Sequence, residues 1–275
     1  QTSPERFINA GVAEQNMISV AAGLAKSGFK PWVYSIAPFS FARPFEQIRN
    51  DICLHKLPVT VVGNGGGYGY GVMGATHHAI EDYGTLLGLQ HMKAYIPSFK
   101  DDLKPQVNII LQDSNPAYFR LGRCEKPSNF ISPPYKAIRK LLSGTQGILI
   151  VVGPLIGSYL PSLTTLSESQ RPSVWIVNEL PIASIAKDIL QNLLQEIRIS
   201  KKLIVAEEHV LHGSFGQSLA YHLLENHIPI EHFSHLYAKG YLSGLYGSQQ
   251  FHRNESHIDI EHLMHQMKGI YETPI

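Results

Sequence analysis

Two hydrophobic periods alternate along the chain. Short runs of β-branched and aromatic residues, Pro31-WVYS, Val59-TVVG, Met92-KAYI and Ala117-YFRL, read as strands. Between them, Glu14-QNMISVAAGLAKSG, Phe41-ARPFEQIRNDICLHK and His78-AIEDYGTLLGL place apolar residues three and four apart, the period of a helix with one buried face. The first of these helices is expected to stop at Gly28, with Pro31 just beyond it. A polar, proline-rich stretch, Cys124-EKPSNFISPPYK, then interrupts the pattern, and Pro127, Pro133 and Pro134 make it a semi-rigid crossover. The alternation resumes with Gly147-ILIVVG, Ser173-VWIVN and Lys202-LIVAEEH as strands and Phe215-GQSLAYHLLENH as a helix. This order predicts an α/β fold of two domains, residues 1–130 and 131–275, each a mainly parallel sheet covered by helices. No sequence repeat relates the two halves.

Composition narrows the function classes. The 275 residues suit two domains, and 44% hydrophobic with 16% charged residues describes a soluble globular chain. The net charge of +1, with Lys and Arg scattered, argues against nucleic acid or an anionic membrane as the partner. The longest apolar run, bounded by Gly147 and Gly153, is far short of the ~20 residues that span a bilayer, so it reads as a buried strand. Cys53 and Cys124 stand far apart without a C-x-x-C, which predicts no disulfide and a reducing, cytoplasmic setting. Most of the 14 histidines sit singly on polar stretches, and no H-E-x-x-H spacing occurs, so no metal site is expected on this chain. No signal peptide is read. The chain opens at Gln1 rather than Met, and residues upstream are expected to have been removed or left out.

The stretch VVGNGGGYGYGVMGATHH, residues 61–78, concentrates the candidate chemistry. Gly69, Gly71 and Gly74 satisfy G-x-G-x-x-G, yet the strand before them ends six residues too early, and Ala-Thr-His-His follows instead of a helix core. A phosphate loop of the G-x-x-x-x-G-K-[ST] type is absent as well. The glycines are better explained by backbone that approaches a ligand, beside the paired His77 and His78.

The residues on either side carry a family resemblance. Pro4-ERFINAGVAEQNMISVAAGLAKSGFKPWVYSIAPF, followed by Phe41-ARPFEQIRNDI, Leu57-PVTVVG and Gly74-ATHHAIED, resembles the pyrimidine-binding domain of the transketolase family of thiamine-diphosphate enzymes. The match ends near Arg120-LGR, and Gly147-ILIVVG with Ala206-EEHVLHGSFG is similar to the family's C-terminal domain. The resemblance implies thiamine diphosphate as cofactor and a sugar or sugar phosphate as substrate. Glu14 then falls where the family places the glutamate that activates the aminopyrimidine; on the residues alone, a carboxylate favouring a helix N-terminus explains it too. Cofactor contacts are expected from the segment holding Phe39, Phe41, Arg43 and Phe45, with either Phe39 or Phe41 as the stacking platform. His77 matches the family histidine that meets the substrate oxygen, a task imidazole suits near neutral pH. His78 serves beside it or caps the next helix. Arg120 falls where the family places an arginine for the sugar phosphate, and Asn64 and Tyr68 are expected to line the same entrance.

Two departures refine what the resemblance implies. Met73 stands where ketol-transferring members carry an aspartate that holds a donor hydroxyl, and a thioether accepts hydrogen bonds only weakly. A donor with fewer hydroxyls, such as pyruvate, therefore becomes an alternative, as in the β chain of a 2-oxoacid dehydrogenase or a synthase. The Gly-Asp-Gly motif that binds magnesium and the diphosphate is absent. The expectation is a C-terminal subunit that self-associates into a dimer core. It would complete its site with an N-terminal diphosphate-binding partner holding Mg or Ca, in a heterotetramer. A non-catalytic assembly subunit is the remaining alternative, which an intact Glu14 and His77 argue against.

Overall fold

In the computed structural model, residues 3–123 and 125–271 are described, which leaves Cys124 outside the described residues. The first half holds α1 (Glu14–Lys26), β1 (Trp32–Ile36), α2 (Ala37–Phe41), α3 (Phe45–Gln47), β2 (Thr60–Asn64), α4 (Asp82–Leu87), β3 (Lys93–Tyr95), α5 (Leu103–Gln112) and β4 (Ala117–Leu121). The second holds β5 (Ile138–Leu142), β6 (Ile148–Val152), α6 (Ile156–Leu163), β7 (Ser173–Val177), β8 (Glu179–Leu180), α7 (Lys187–Ser200), β9 (Lys202–Ala206), α8 (Phe215–Glu225), β10 (His232–Leu236), α9 (Gln249–Glu255) and α10 (Ile260–Tyr271). They build two five-stranded sheets, ordered β1-β2-β4-β3-β8 and β10-β9-β6-β7-β5. Each is parallel except for one antiparallel edge strand, β8 on β3 and β5 on β7. The α/β architecture expected from the alternation is therefore present.

Local sequence explains the elements. β6 and β7 are buried at every position, as parallel strands covered on both faces must be. α1 buries Ile18, Ala21, Ala22 and Ala25, one stripe at helical spacing. Ser214 caps α8 by accepting the Gln217 backbone N–H at 3.0 Å.

Three elements differ from the hydrophobic pattern. The helix expected from Phe41 begins earlier, at Ala37 with Pro38 in its first turn, and breaks at Pro44, which has no N–H to continue it. A wide-turn helix, Ile48–Cys53, carries the rest. The helix expected from His78 starts at Asp82, because Ala79 exchanges both backbone hydrogen bonds with Gly67. Finally, β8 leaves the second half of the chain to pair with β3 of the first. One apolar cluster accordingly runs from Ile18 and Ala37 through Leu180 and Ile182 to Leu219.

Candidate functional site

The parallel strands β1 and β2 run in register from Trp32 opposite Thr60 to Ile36 opposite Asn64, so their carboxyl ends lie side by side. Ligands in open α/β sheets bind beyond such ends. β1 passes directly into α2, which turns Ser40 and Phe41 into the core and leaves Phe39 half-buried. Arg43 folds back over Phe39, its Cζ 3.9 Å from the ring centroid. Its Nη1 donates to Glu14 Oε1 at 2.8 Å. Glu14 is the first residue of α1, and its side chain is 12% exposed against 46% for Arg43.

Beyond Phe39 the row continues. The His77 ring lies 5.3 Å from that of Phe39, edge to face, and 6.0 Å from that of Tyr70. His77 Nδ1 and the Thr76 hydroxyl are 2.9 Å apart, and no partner for Nε2 is found among the described residues. The Tyr70 hydroxyl accepts from Asn64 Nδ2 at 3.0 Å. Glu14, Arg43, Phe39, His77, Tyr70 and Asn64 thus form one continuous line of contacts at the ends of β1 and β2. Gly65, with φ of 75°, is required here, since a Cβ would overlap the Tyr70 ring.

The other sequence-predicted residues lie elsewhere. Phe41 is buried in the main apolar cluster, and Phe45 packs against it half-buried. His78 does not cap α4; it is buried, its Nε2 bonded to the Gly71 carbonyl at 2.8 Å and its ring stacked on Tyr241. Burial holds its pKa below the usual histidine value. Tyr68 is fully buried rather than at an entrance, its hydroxyl donating to the Gly240 carbonyl at 2.8 Å, and burial pushes its pKa up to about 12.

Arg120 is also withdrawn from the cleft. It is 4% exposed, and its Nε donates to Asp82 Oδ2 at 2.7 Å. Its Nη2 donates to the Ala79 and Glu208 carbonyls at 2.9 and 3.0 Å. Gly66 lets the guanidinium stem lie against the loop backbone. The expected phosphate role is therefore not supported by its placement; the fork is spent between the two halves of the chain. The Glu-Glu-His of the second half meets it there. Glu208 accepts Tyr68 N–H at 2.6 Å and two bonds from Arg253, and Glu207 takes Tyr83 and His235.

The pattern missed Tyr70. The signal was present as Tyr68-Gly-Tyr70, two aromatics with a one-residue gap, of which one is drawn inward and one stays half-buried at the cleft. Among the described residues no group of three or more His, Cys, Asp or Glu is arranged to hold a metal, and no helix is long and apolar enough to cross a membrane.

The arrangement can bind a flat, nitrogen-rich ring. Arg43 demonstrates the fit: a planar N–H donor lies on Phe39 while bonding Glu14. A heteroaromatic ring with the same needs suits that space.

Residues 1–127 match the transketolase pyrimidine-binding domain. The chain is 29% identical over 233 residues to one of the subunits of the apulose-4-phosphate transketolase of Actinobacillus succinogenes, covering 82% of this chain and 73% of that one. It is 31% identical over 224 residues to the 1-deoxy-D-xylulose-5-phosphate synthase of Carboxydothermus hydrogenoformans, of which it spans only 35%. Among solved structures, a split-gene transketolase described as an inactive beta4 tetramer superposes with a TM-score of 0.79 at 26% identity, over 98% of this chain and 85% of that one.

Proposed function

The chain belongs to the transketolase family, and from that premise we propose that it is the C-terminal subunit of a two-chain, thiamine-diphosphate-dependent enzyme that transfers a two-carbon ketol unit between sugars or sugar phosphates. The observation that carries this reading is the row Glu14, Phe39, His77, in which a carboxylate, an aromatic face and an imidazole are joined, through Arg43, in one line of contacts. Thiamine diphosphate, when bound, supplies a carbon nucleophile made by loss of a proton to its own aminopyrimidine. Magnesium or calcium and the diphosphate are assigned to an N-terminal partner subunit, and self-association of this chain would place two such partners around a dimer core.

Each residue has a task its geometry allows. Phe39 offers the face on which the pyrimidine stacks, once Arg43 swings aside. Glu14 holds the proton of the hydrogen bond to the ring nitrogen at its carboxylate oxygen, which shifts the ring toward the tautomer that acts as a base. His77, with Nδ1 tied to Thr76, gives or takes a proton at Nε2 against the substrate oxygen where charge develops.

A second reading is acyl transfer from pyruvate. It is favoured by the half-exposed Met73 and the more exposed Val72 on the loop between Tyr70 and His77, and by similarity to a 1-deoxy-D-xylulose-5-phosphate synthase.

The test is reconstitution with the partner subunit. Calorimetric titration of thiamine diphosphate and magnesium should show binding in the mixture, and Glu14→Gln should remove about 99% or more of two-carbon transfer, the scale of a lost acid–base group. A complex that forms yet is indifferent to Glu14→Gln would be an assembly subunit instead.

A further inference from the structure

Resting on the reading above, we propose that Tyr70, held by Asn64, is the residue that recognises a hydroxyl on the donor's transferred fragment and so discriminates a ketol donor from its deoxy counterpart. Four observations converge on it. The phenol oxygen already accepts from Asn64 Nδ2 at 3.0 Å, while its own proton has no acceptor among the described residues. A hydroxyl is both donor and acceptor, so this phenol presents a fixed, unspent donor. Its ring is held at one position, lying over Gly65 where no side chain fits and 6.0 Å from the His77 ring. Tyr70 and Asn64 are both half-buried, accessible to a substrate yet partly shielded from water.

The neighbours sharpen the assignment. Between Tyr70 and His77 the loop carries Val72 and Met73, 69% and 50% exposed, neither of which can hold a hydroxyl firmly, and Thr76, whose hydroxyl is engaged with His77 Nδ1. Tyr68, the other tyrosine of the loop, is buried with its hydroxyl bonded to Gly240 and Ser256. His78 is turned inward onto Gly71. A donor whose reacting oxygen lies at His77 therefore meets the Asn64–Tyr70 pair as the next polar group along the row. Withdrawing a hydrogen-bond partner from a site built for it penalises the hydroxylated ligand and leaves the one lacking the hydroxyl largely untouched.

The experiment compares hydroxypyruvate with pyruvate, donors that differ by one hydroxyl, in the reconstituted complex. Tyr70→Phe keeps the ring over Gly65 and removes only the hydroxyl. It should lower kcat/KM for hydroxypyruvate about five- to tenfold, mainly through KM, with pyruvate kinetics and the calorimetric affinity for thiamine diphosphate unchanged. Asn64→Ala should lower the same ratio by a smaller factor. An unchanged donor ratio, or an equal loss on both donors, overturns the assignment, the latter by showing a structural role. Glu14→Gln run in parallel separates the two claims: if it abolishes turnover while Tyr70→Phe leaves the ratio intact, the functional reading stands and this inference falls. A wild-type complex that uses neither donor defeats both.

Discussion

Phe39 and Phe41 stand two residues apart in one short helix, and their surroundings divide their work. Phe41 is 6% exposed within the main apolar cluster, whereas Phe39 is half-buried and already carries a stacked cation on its face. Truncating each should therefore separate binding from folding. Phe39→Ala is expected to weaken thiamine diphosphate binding about 2- to 12-fold, the range that offset stacking supplies, with little change in the unfolding midpoint. Phe41→Ala should instead cost about 3–5 kcal/mol of stability through the cavity it leaves. Calorimetry and urea titration of both variants check the division, and a Phe41→Ala variant that keeps its stability but loses the cofactor would reverse the assignment. No helical period distinguishes these positions, since both are aromatic and adjacent in pattern. Only the turn imposed by Pro38 and the break at Pro44 decide which one faces the cleft.

At the scale of elements, the strands were legible because buried parallel strands write themselves as continuous β-branched runs, as β6 and β7 do. β5, β8 and β10 were not. β5, Ile138–Leu142, is an edge strand broken by Arg139 and Lys140, β8 is two residues long, and β10, His232–Leu236, carries two histidines and a serine on a partly exposed edge, so none has a continuous hydrophobic signature. Glu14, His77 and the pair Phe39 and Phe41 were readable as candidates from motifs, while the choice between the two phenylalanines and the inward turn of His78, Tyr68 and Arg120 depend on contacts that no local pattern encodes.

Those inward contacts have a pH signature. His78 and His209 are buried at the junction of the glycine loop with the second half, and burial lowers both pKa values. His209 Nε2 accepts the Gly84 N–H at 3.1 Å, and His78 Nδ1 is buried without a partner, so a second ring proton has no place in either. The unfolded chain binds those protons below the ordinary histidine pKa of about 6.5 and the folded chain does not, so stability is full above that pH and falls on acidification through it. Urea midpoints between about pH 7.5 and 5.5, which bracket that value, should decline accordingly, and His78→Gln with His209→Gln should flatten the slope. An unaltered slope would place the titration elsewhere.

For the whole molecule, the two sheets are joined by a polar knot on top of a shared apolar cluster. Arg120 of the first half, paired with Asp82, donates to the Glu208 carbonyl, the Glu208 carboxylate takes Tyr68 N–H, Gln249 and Arg253, and Tyr83 donates to Glu207. Removing one member of such a buried pair leaves the other charge uncompensated, which costs about 3–5 kcal/mol. The chain's 2 tryptophans sit one in each sheet, Trp32 on β1 and Trp175 on β7, so each half has its own fluorescent reporter. In Trp175→Phe and in Trp32→Phe, the midpoint read from the remaining tryptophan should coincide with that same protein's circular-dichroism midpoint, because the knot and the cluster from Ile18 to Leu219 make the halves one cooperative unit. Adding Arg120→Ala should lower the unfolding free energy read by both reporters together by about 3–5 kcal/mol. Midpoints that separate, with the first half melting ahead of the second, would mean that Arg120 secures only its own sheet, and the cleft at the ends of β1 and β2 would then be free to open without disturbing the rest of the chain.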